Sequence, residues 1–395
     1  MTAQDYMAPE SIGRLQQRAL GVGVVGAIIC AIGWLRWPAQ FFHSYLVAFL
    51  FILGLSLGSL GLLMLQHLTS GHWGIIIRRP LEAAVRTLWL VALLFVPVIF
   101  GMKYLYGAWL NAPPTGEGSL SNFQKTYLTT NNFVIRAAIY FAVWLLLAFM
   151  LERWSRQQDV DTANRALRRK FKMLSGPGII LYVFGVGFAS IDWAMSLSPH
   201  WFSTIYGFIF VVGEVISSLC LVIAISVLLS RTTPMAGLIQ ARHLSDLGKL
   251  LLAFVMLWAY FSFSQLLIIW SGNLPDEISF YRSRLYGSWG LVAIIVLIFH
   301  FFAPFFMLLS RDLKRSASLL PKVAFLLIFM RFVDLFWTTR PEFSPTNALP
   351  SWFDVVVPIT LVGLWLGIFA RNLKSQPLLP LGDPKLQEAI EVHEY

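Results

Sequence analysis

The stretch Tyr45–Gln66, YLVAFLFILGLSLGSLGLLMLQ, runs for 22 residues without one charged side chain. As a helix it would be about 33 Å long at 1.5 Å per residue, close to the hydrocarbon thickness of a bilayer. It is apolar on every side, so it has no face for water, and a helix of that kind is a membrane span or is wholly enclosed. The segment after it, HLTSGHWGIIIRRP over residues 67–80, turns polar and basic. Nine further stretches repeat the alternation. Together the expected spans lie at about 19–35, 45–66, 84–105, 132–151, 178–198, 204–229, 248–270, 287–309, 320–337 and 355–371. The chain therefore reads as an all-α, polytopic integral membrane protein of ten transmembrane helices.

An even number of spans places both termini on one side, and the basic residues say which. Assigning residues just inside a helix end to the nearest loop, the side holding the termini carries 22 Lys and Arg, and the opposite five loops carry 6. Arg136 and Arg331 fall inside expected helices. By the positive-inside rule the termini are cytoplasmic. The strongest anchor is the expected loop from Glu152 to Pro177, with Arg153, Arg156, Arg165, Arg168, Arg169, Lys170 and Lys172. Near Gly116 the chain is expected outside.

The net charge of +10 could suggest nucleic acid, but the charge is spread over juxtamembrane loops rather than a soluble face. A hydrophobic content of 57 % and a mean hydropathy of +0.69 exceed the apolar share of ordinary water-soluble domains. No loop is long enough to fold as a separate domain, so residues 1–395 read as one membrane domain. The first apolar stretch follows Arg14 and Arg18 as a signal peptide would, yet no small-x-small cleavage site follows it, and it reads as a retained span.

Cys30 and Cys220 both lie in apolar helices, so there is no CxxC metal pattern and no CxxCH for covalent haem. His67, at the cytoplasmic end of the second span, and His300, in the middle of the eighth, do not share a depth, as axial ligands of one haem would have to. Neither a Walker loop nor a GxGxxG after a strand is present. The chain is expected to bind no metal or cofactor of its own, so a redox centre would be held by a partner or would diffuse.

The order of spans suggests two four-helix bundles, residues 45–198 and 204–337, flanked by the first and tenth helices, with a cytoplasmic tail over 372–395. Four being even, the bundles would share one orientation, related by an axis along the membrane normal. A plain array of ten helices is the alternative.

Polar groups inside the apolar spans concentrate in the fifth to ninth. A charge at a helix centre costs roughly 2.5–3.5 kcal/mol on insertion scales, so each asks for a partner or a purpose. The candidates are Asp192, Glu214, His300, Arg331 and Asp334, with Tyr260, Ser262, Ser264 and Gln265 on the seventh span. Converted to depth, Glu214, His300 and Arg331 fall near the midplane and Asp192, Gln265 and Asp334 in the outer half. That ladder from the centre outward is a candidate proton path. Each member also has a structural reading: Arg331 and Asp334 stand i, i+3 and can neutralise each other, Glu214 shares a face with Ser217 and Ser218, and His300 fits an ordinary helix interface. Asp192 has no cation near it in sequence, so another helix pairs it or it meets water. The aromatics belong mostly to interfacial belts, although Trp193, Trp201, Trp258, Trp270 and Trp337 could line the flat apolar slot a quinone head needs.

The run Gly71, Trp73, Gly74, Arg78, Arg79, Glu82 resembles the NrfD-like membrane subunits of bacterial quinol oxidoreductases. Three stretches narrow the resemblance: SIDWAMSLSPHWFSTIYG over Ser190–Gly207, DLGKLLLAFVMLWAYFSFSQLLIIWSGNLPDE over Asp246–Glu277, and the tail PLLPLGDPKLQEAIEVHEY from Pro377. Over nearly the whole chain these are similar to the F-subunit family of alternative complex III, a quinol:electron-acceptor oxidoreductase of the bacterial cytoplasmic membrane. The resemblance implies partner subunits carrying c-type haems and iron-sulfur clusters, a sister NrfD-like subunit as the better-supported quinol site, menaquinol or ubiquinol as substrate of the complex, and a terminal oxidase as a further candidate partner. It also implies the two-bundle architecture and a proton-conducting element rather than a catalytic one. A structural scaffold of the same complex and a stand-alone secondary transporter are the competing readings. A transporter would favour paired breaks at the midplane, whereas Pro97, Pro304 and Pro358 form no evident matched pair.

Overall fold

The computed structural model describes residues 3–116, 118–161 and 165–391. The last four residues of the tail and the side chain of Arg165 lie outside the described residues. The described chain is all-helical, and nine of its helices are long and apolar enough to cross a bilayer. They are α1 (Glu10–Arg36), α2 (Pro38–Thr69), α3 (Trp73–Phe100), α4 (Thr130–Val160), α5 (Ala166–Leu197), α6 (Tyr206–Ser230), α7 (Ala241–Gly272), α8 (Gly287–Leu309) and α10 (Phe353–Lys374). The expected ninth span is present as a 20-residue helix, α9 (Leu320–Thr339). Its Lys322, Arg331 and Asp334 set it apart from the nine.

Several helices overrun the apolar stretch that announces them. α4 is 31 residues long, about 46 Å, and the expected loop from Glu152 to Pro177 is largely helical, continuing both α4 and α5 beyond the hydrocarbon. Pro177 lies inside α5. The largest departure is α3. Its expected start near residue 84 is preceded by a helix over His72–Val85 that takes in Arg78, Arg79 and Pro80. Sequence counting places the two arginines in a loop, but here both are buried, at 1 % and 2 % exposure. Further along, α3 is cut into short helical pieces, Leu88–Leu94 and Val96–Phe100, around Pro97.

The centre of the molecule is α2, whose most apolar window is completely enclosed, with α6 nearly so beside it. Lipid offers little hydrophobic reason for helices to associate, so close backbone approach has to supply the contact energy. Gly58 does this: a Cβ there would lie 2.0 Å from the Glu214 carbonyl oxygen, so α2 and α6 meet backbone to backbone. α2 also packs against α3, α5 and α10, α4 against α5, α6 against α5, α7 and α9, and α8 against α7 and α9. The outermost pair, α1 and α10, meets along small residues on both helices, Gly23 and Gly26 against Thr360 and Gly363.

Beyond α10 the chain folds back over one end of the helices. The Leu378 N–H donates to the Tyr6 carbonyl (2.8 Å), Leu378 and Leu379 are buried, and Arg242 donates to the Ala389 carbonyl (2.9 Å). The residues just before α1 and just after α10 therefore touch on the same face.

Candidate functional site

α4 and α5 run antiparallel and bring Arg136 against Asp192. Nε and Nη2 of Arg136 donate to the two carboxylate oxygens at 2.8 and 3.0 Å. The Tyr140 hydroxyl adds a third bond at 2.8 Å, and the guanidinium lies 3.7 Å from the centre of the Tyr127 ring. Burial, followed by the Asp192 charge, pushes the Tyr127 phenol up to about 12, so it stays a neutral O–H. Asp192 is thus paired by another helix and is itself fully enclosed. Arg136, nearly two turns into α4, is the partner that the sequence leaves unnamed for Asp192: the two meet only once α4 and α5 are packed together.

Glu214 sits at the α2–α6 crossing with 3 % of its surface exposed. The Tyr182 hydroxyl of α5 donates to it at 3.2 Å, and no cation lies within ion-pair distance of it among the described residues. One turn further along α6, Ser218 shares a hydrogen bond of 2.6 Å with Ser59 of α2. On the other side of α6, Arg331 lies flat over Gly213: a Cβ on that glycine would be 2.2 Å from the guanidinium carbon. Arg331 is ion-paired with Asp334, both buried, and faces the Phe210 ring at 5.5 Å. Glu214, Tyr182, Arg331 and Asp334 are thereby gathered around one stretch of α6.

His300 occupies a π-helical turn of α8, Leu297–Phe302, a widening that recurs at functional positions. Its ring meets Trp258 edge to face at 4.4 Å. It is fully enclosed, and neither ring nitrogen has a hydrogen-bond partner among the described residues. The ladder inferred from depth is therefore discontinuous: no hydrogen bond joins Asp192 to Glu214, or His300 to either, among the described residues. On α7, Gln265 accepts from Ser203 (2.8 Å) and donates to the Tyr281 hydroxyl (3.1 Å), whereas Tyr260 is largely exposed and Ser264 is not part of this network.

Between α6, α7, α8 and α9 lies a cleft of about 970 Å³. Phe210, Trp258, Phe301 and Trp337 wall it, and Gln265, Tyr281, Arg331 and Asp334 supply its polar places, with Tyr260 and Ser262 on the rim. Burial pushes the Tyr281 phenol up to about 12. Of the five tryptophans considered for a flat slot, Trp258 and Trp337 line this cleft. Trp193 is instead locked among Phe49, Phe95, Tyr140, Phe141 and Trp144. Trp201 stacks on Phe280 at 3.9 Å, and Trp270 is 74 % exposed.

A second polar cluster closes the end covered by the tail. Arg78 donates to Glu82 (2.9 Å), Asp383 (3.0 Å) and Gln158 (2.9 Å). Arg79 bonds Glu82 (2.6 Å) and Ser155 (2.9 Å) and is ion-paired with Asp159. Three carboxylates against two guanidiniums explain how this part of α3 is buried. Asp159 and Asp383, distant in sequence from the arginines, are partners that the sequence does not announce.

No group of three or more His, Cys, Asp or Glu side chains that could hold a metal ion occurs among the described residues. No family model and no curated protein matches the chain.

Proposed function

We propose that this multi-pass membrane protein is a subunit of a quinol:electron-acceptor oxidoreductase of the alternative complex III type, in which it conducts protons while partner subunits carry electrons on c-type haems and iron-sulfur clusters. The observation that carries the reading is Glu214, a carboxyl with no cation within ion-pair distance among the described residues, at the crossing of the two most enclosed helices, bonded to a tyrosine and near the Arg331–Asp334 pair. A lone buried carboxyl at midplane is costly and is ordinarily retained for a task. A proton relay requires a site that can be charged in one step and neutral in the next. Glu214 can take a proton through the Tyr182 hydroxyl, and Arg331 stabilises the carboxylate when the proton leaves. Moving one charge across the membrane is worth about 2.3 kcal/mol per 100 mV, which quinol oxidation in the partner subunits would supply.

The contact between Tyr6 and Leu378 supports ten crossings, since an odd number would leave the two ends on opposite faces. With α9 as the remaining span, the excess of Lys and Arg favours both ends lying in the cytoplasm. The two four-helix bundles would be α2–α5 and α6–α9. A transporter would favour helices broken at matched places in the two halves. The irregular helices here are α3, second in the first group, and α8, third in the second, which favours the subunit reading. The scaffold reading draws on the arginine cluster under the tail.

Purification under mild conditions tests the assignment. Haem-bearing polypeptides should accompany the chain in fixed ratio on a haem-stained gel; isolation of the chain alone, still folded and active in ion flux, would overturn it.

A further inference from the structure

We infer that the pocket under the tail, where the end of α2, the start of α3 and the overhanging part of α5 meet Asp383 and Lys385, binds a phosphate group of a small solute, and that the bound anion fastens the tail to the helices. This rests on the packing of the tail and not on the assembly or the proton route proposed above.

Charge is the first argument. Asp383 is the carboxylate at the pocket, and both of its oxygens are engaged, one by Arg78 (3.0 Å) and one by the Lys385 backbone N–H (3.0 Å). The cations around it are less well served. Arg168 borders the pocket, is exposed, and forms no hydrogen bond or ion pair among the described residues. Lys385 borders it half-buried, its ammonium bonded to the Ser70 carbonyl at 3.3 Å. With the cluster beneath included, Arg78, Arg79, Arg168 and Lys385 stand against Glu82, Asp159 and Asp383, an excess of one positive charge. A single anion balances it.

Shape selects among anions. The enclosed part of the pocket is about 20 Å³, room for one water-sized group, so one oxygen enters and the rest of the ligand stays at the mouth. Chloride has one centre and a carboxylate two oxygens in one plane. A phosphate has an oxygen for the pocket and others for Arg168 and Lys385, which reach the mouth from different segments, and bonds from guanidinium and ammonium to phosphate are among the strong ones.

Position selects the source. Gln66 and His67, which border the pocket, end α2, the central helix whose most apolar window is completely enclosed. A pocket over that helix opens at the end of the molecule and not on a lipid-facing flank, so a solute supplies the phosphate rather than a lipid headgroup. The consequence for the tail follows from linkage. A Cβ on Gly382 would collide with the Gln158 carbonyl, so the tail backbone lies directly on α4 beside the site. An anion held by one cation of α5 and one of the tail binds only while the tail is seated, and thereby stabilises that state.

The test follows hydrogen exchange of residues 378–389 by mass spectrometry in the full chain in phosphatidylcholine nanodiscs, with inorganic phosphate as probe and chloride at equal ionic strength as control. Phosphate should slow exchange saturably and chloride should not. The half-saturating concentration should rise about tenfold or more in Arg168→Gln and in Lys385→Gln, the usual effect of losing one hydrogen bond to a charged group. It should be unchanged in Arg169→Gln, which removes an exposed charge of the same helix that does not border the pocket. Slowing that chloride reproduces, slowing that is the same in all three variants, or exchange that phosphate leaves unaltered would overturn the proposal. Protection already present in phosphatidylglycerol nanodiscs without phosphate, and lost in Arg168→Gln, would overturn the solute source in favour of a lipid headgroup. Because no electron flow or proton gradient enters the assay, its outcome is separate from that of the proton-route experiment.

Discussion

Asp192 and Asp334 are both acids in apolar runs, but their pairs differ. Asp192 receives three hydrogen bonds from α4, whereas Asp334 is held by an arginine one turn away on its own helix. Removing one member of a buried pair typically costs about 3–5 kcal/mol. Asp334→Asn should therefore lower the midpoint of thermal unfolding by several degrees, with Arg331→Met in the same chain recovering part of the loss; an unchanged midpoint in the single variant would discard the pairing. Asp192→Asn should cost less, because Arg136 is 18 % exposed and can turn toward water. The two phenols outside the spans set an alkaline limit. Tyr127 and Tyr281 are raised to about 12 in the fold against about 10 in an unfolded chain. Their contribution is complete below pH 10 and is lost as pH climbs toward 12, since the unfolded chain releases those protons first. Unfolding followed across pH 9–12 should show that decline, reduced in Tyr281→Phe. An equally steep decline in that variant would remove Tyr281 from the account.

At the scale of elements, α2 and α6 depend on the absence of a side chain. Gly58→Ala would place a methyl 2.0 Å from the Glu214 carbonyl, a clash with backbone that no rotamer change relieves. The variant should be destabilised by more than about 2 kcal/mol, read as a large drop in thermal midpoint in detergent, and it should also disturb Glu214; wild-type stability would mean that the two helices do not meet there. The spans themselves were legible because bilayer thickness fixes a length and apolar residues fill it. Their ends were not, because helices continue past the hydrocarbon once water or a partner satisfies them, as α4 and α5 do. The burial of Arg78 and Arg79 was hidden for a related reason: only Glu82 among their three carboxylate partners is close in sequence, whereas Asp159 and Asp383 are some 80 and 305 residues away. The cleft was hidden too. Trp193 and Trp258 read alike in the sequence, and only packing shows that one fills a space and the other borders one.

For the molecule as a whole, the arrangement of charge makes a topology prediction. A single cysteine placed near Arg168 should be labelled only from the cytoplasmic side and one near Gly116 only from outside, with little background because Cys30 and Cys220 are buried. Labelling of the Arg168 position by an impermeant reagent on intact cells would invert the orientation. Glu214, placed between two enclosed helices with no cation within ion-pair distance among the described residues, is the proposed carrier of protons. The most direct measurement is the number of protons moved per electron by the assembled complex in proteoliposomes, followed with a pH-sensitive dye, for Glu214→Gln against the unmodified protein. The side chain keeps its shape and its hydrogen bond to Tyr182 but cannot titrate. The ratio should fall while haem content and quinol oxidation in detergent stay unchanged; a normal ratio would contradict the proton route and favour a structural role for this chain in the proposed complex.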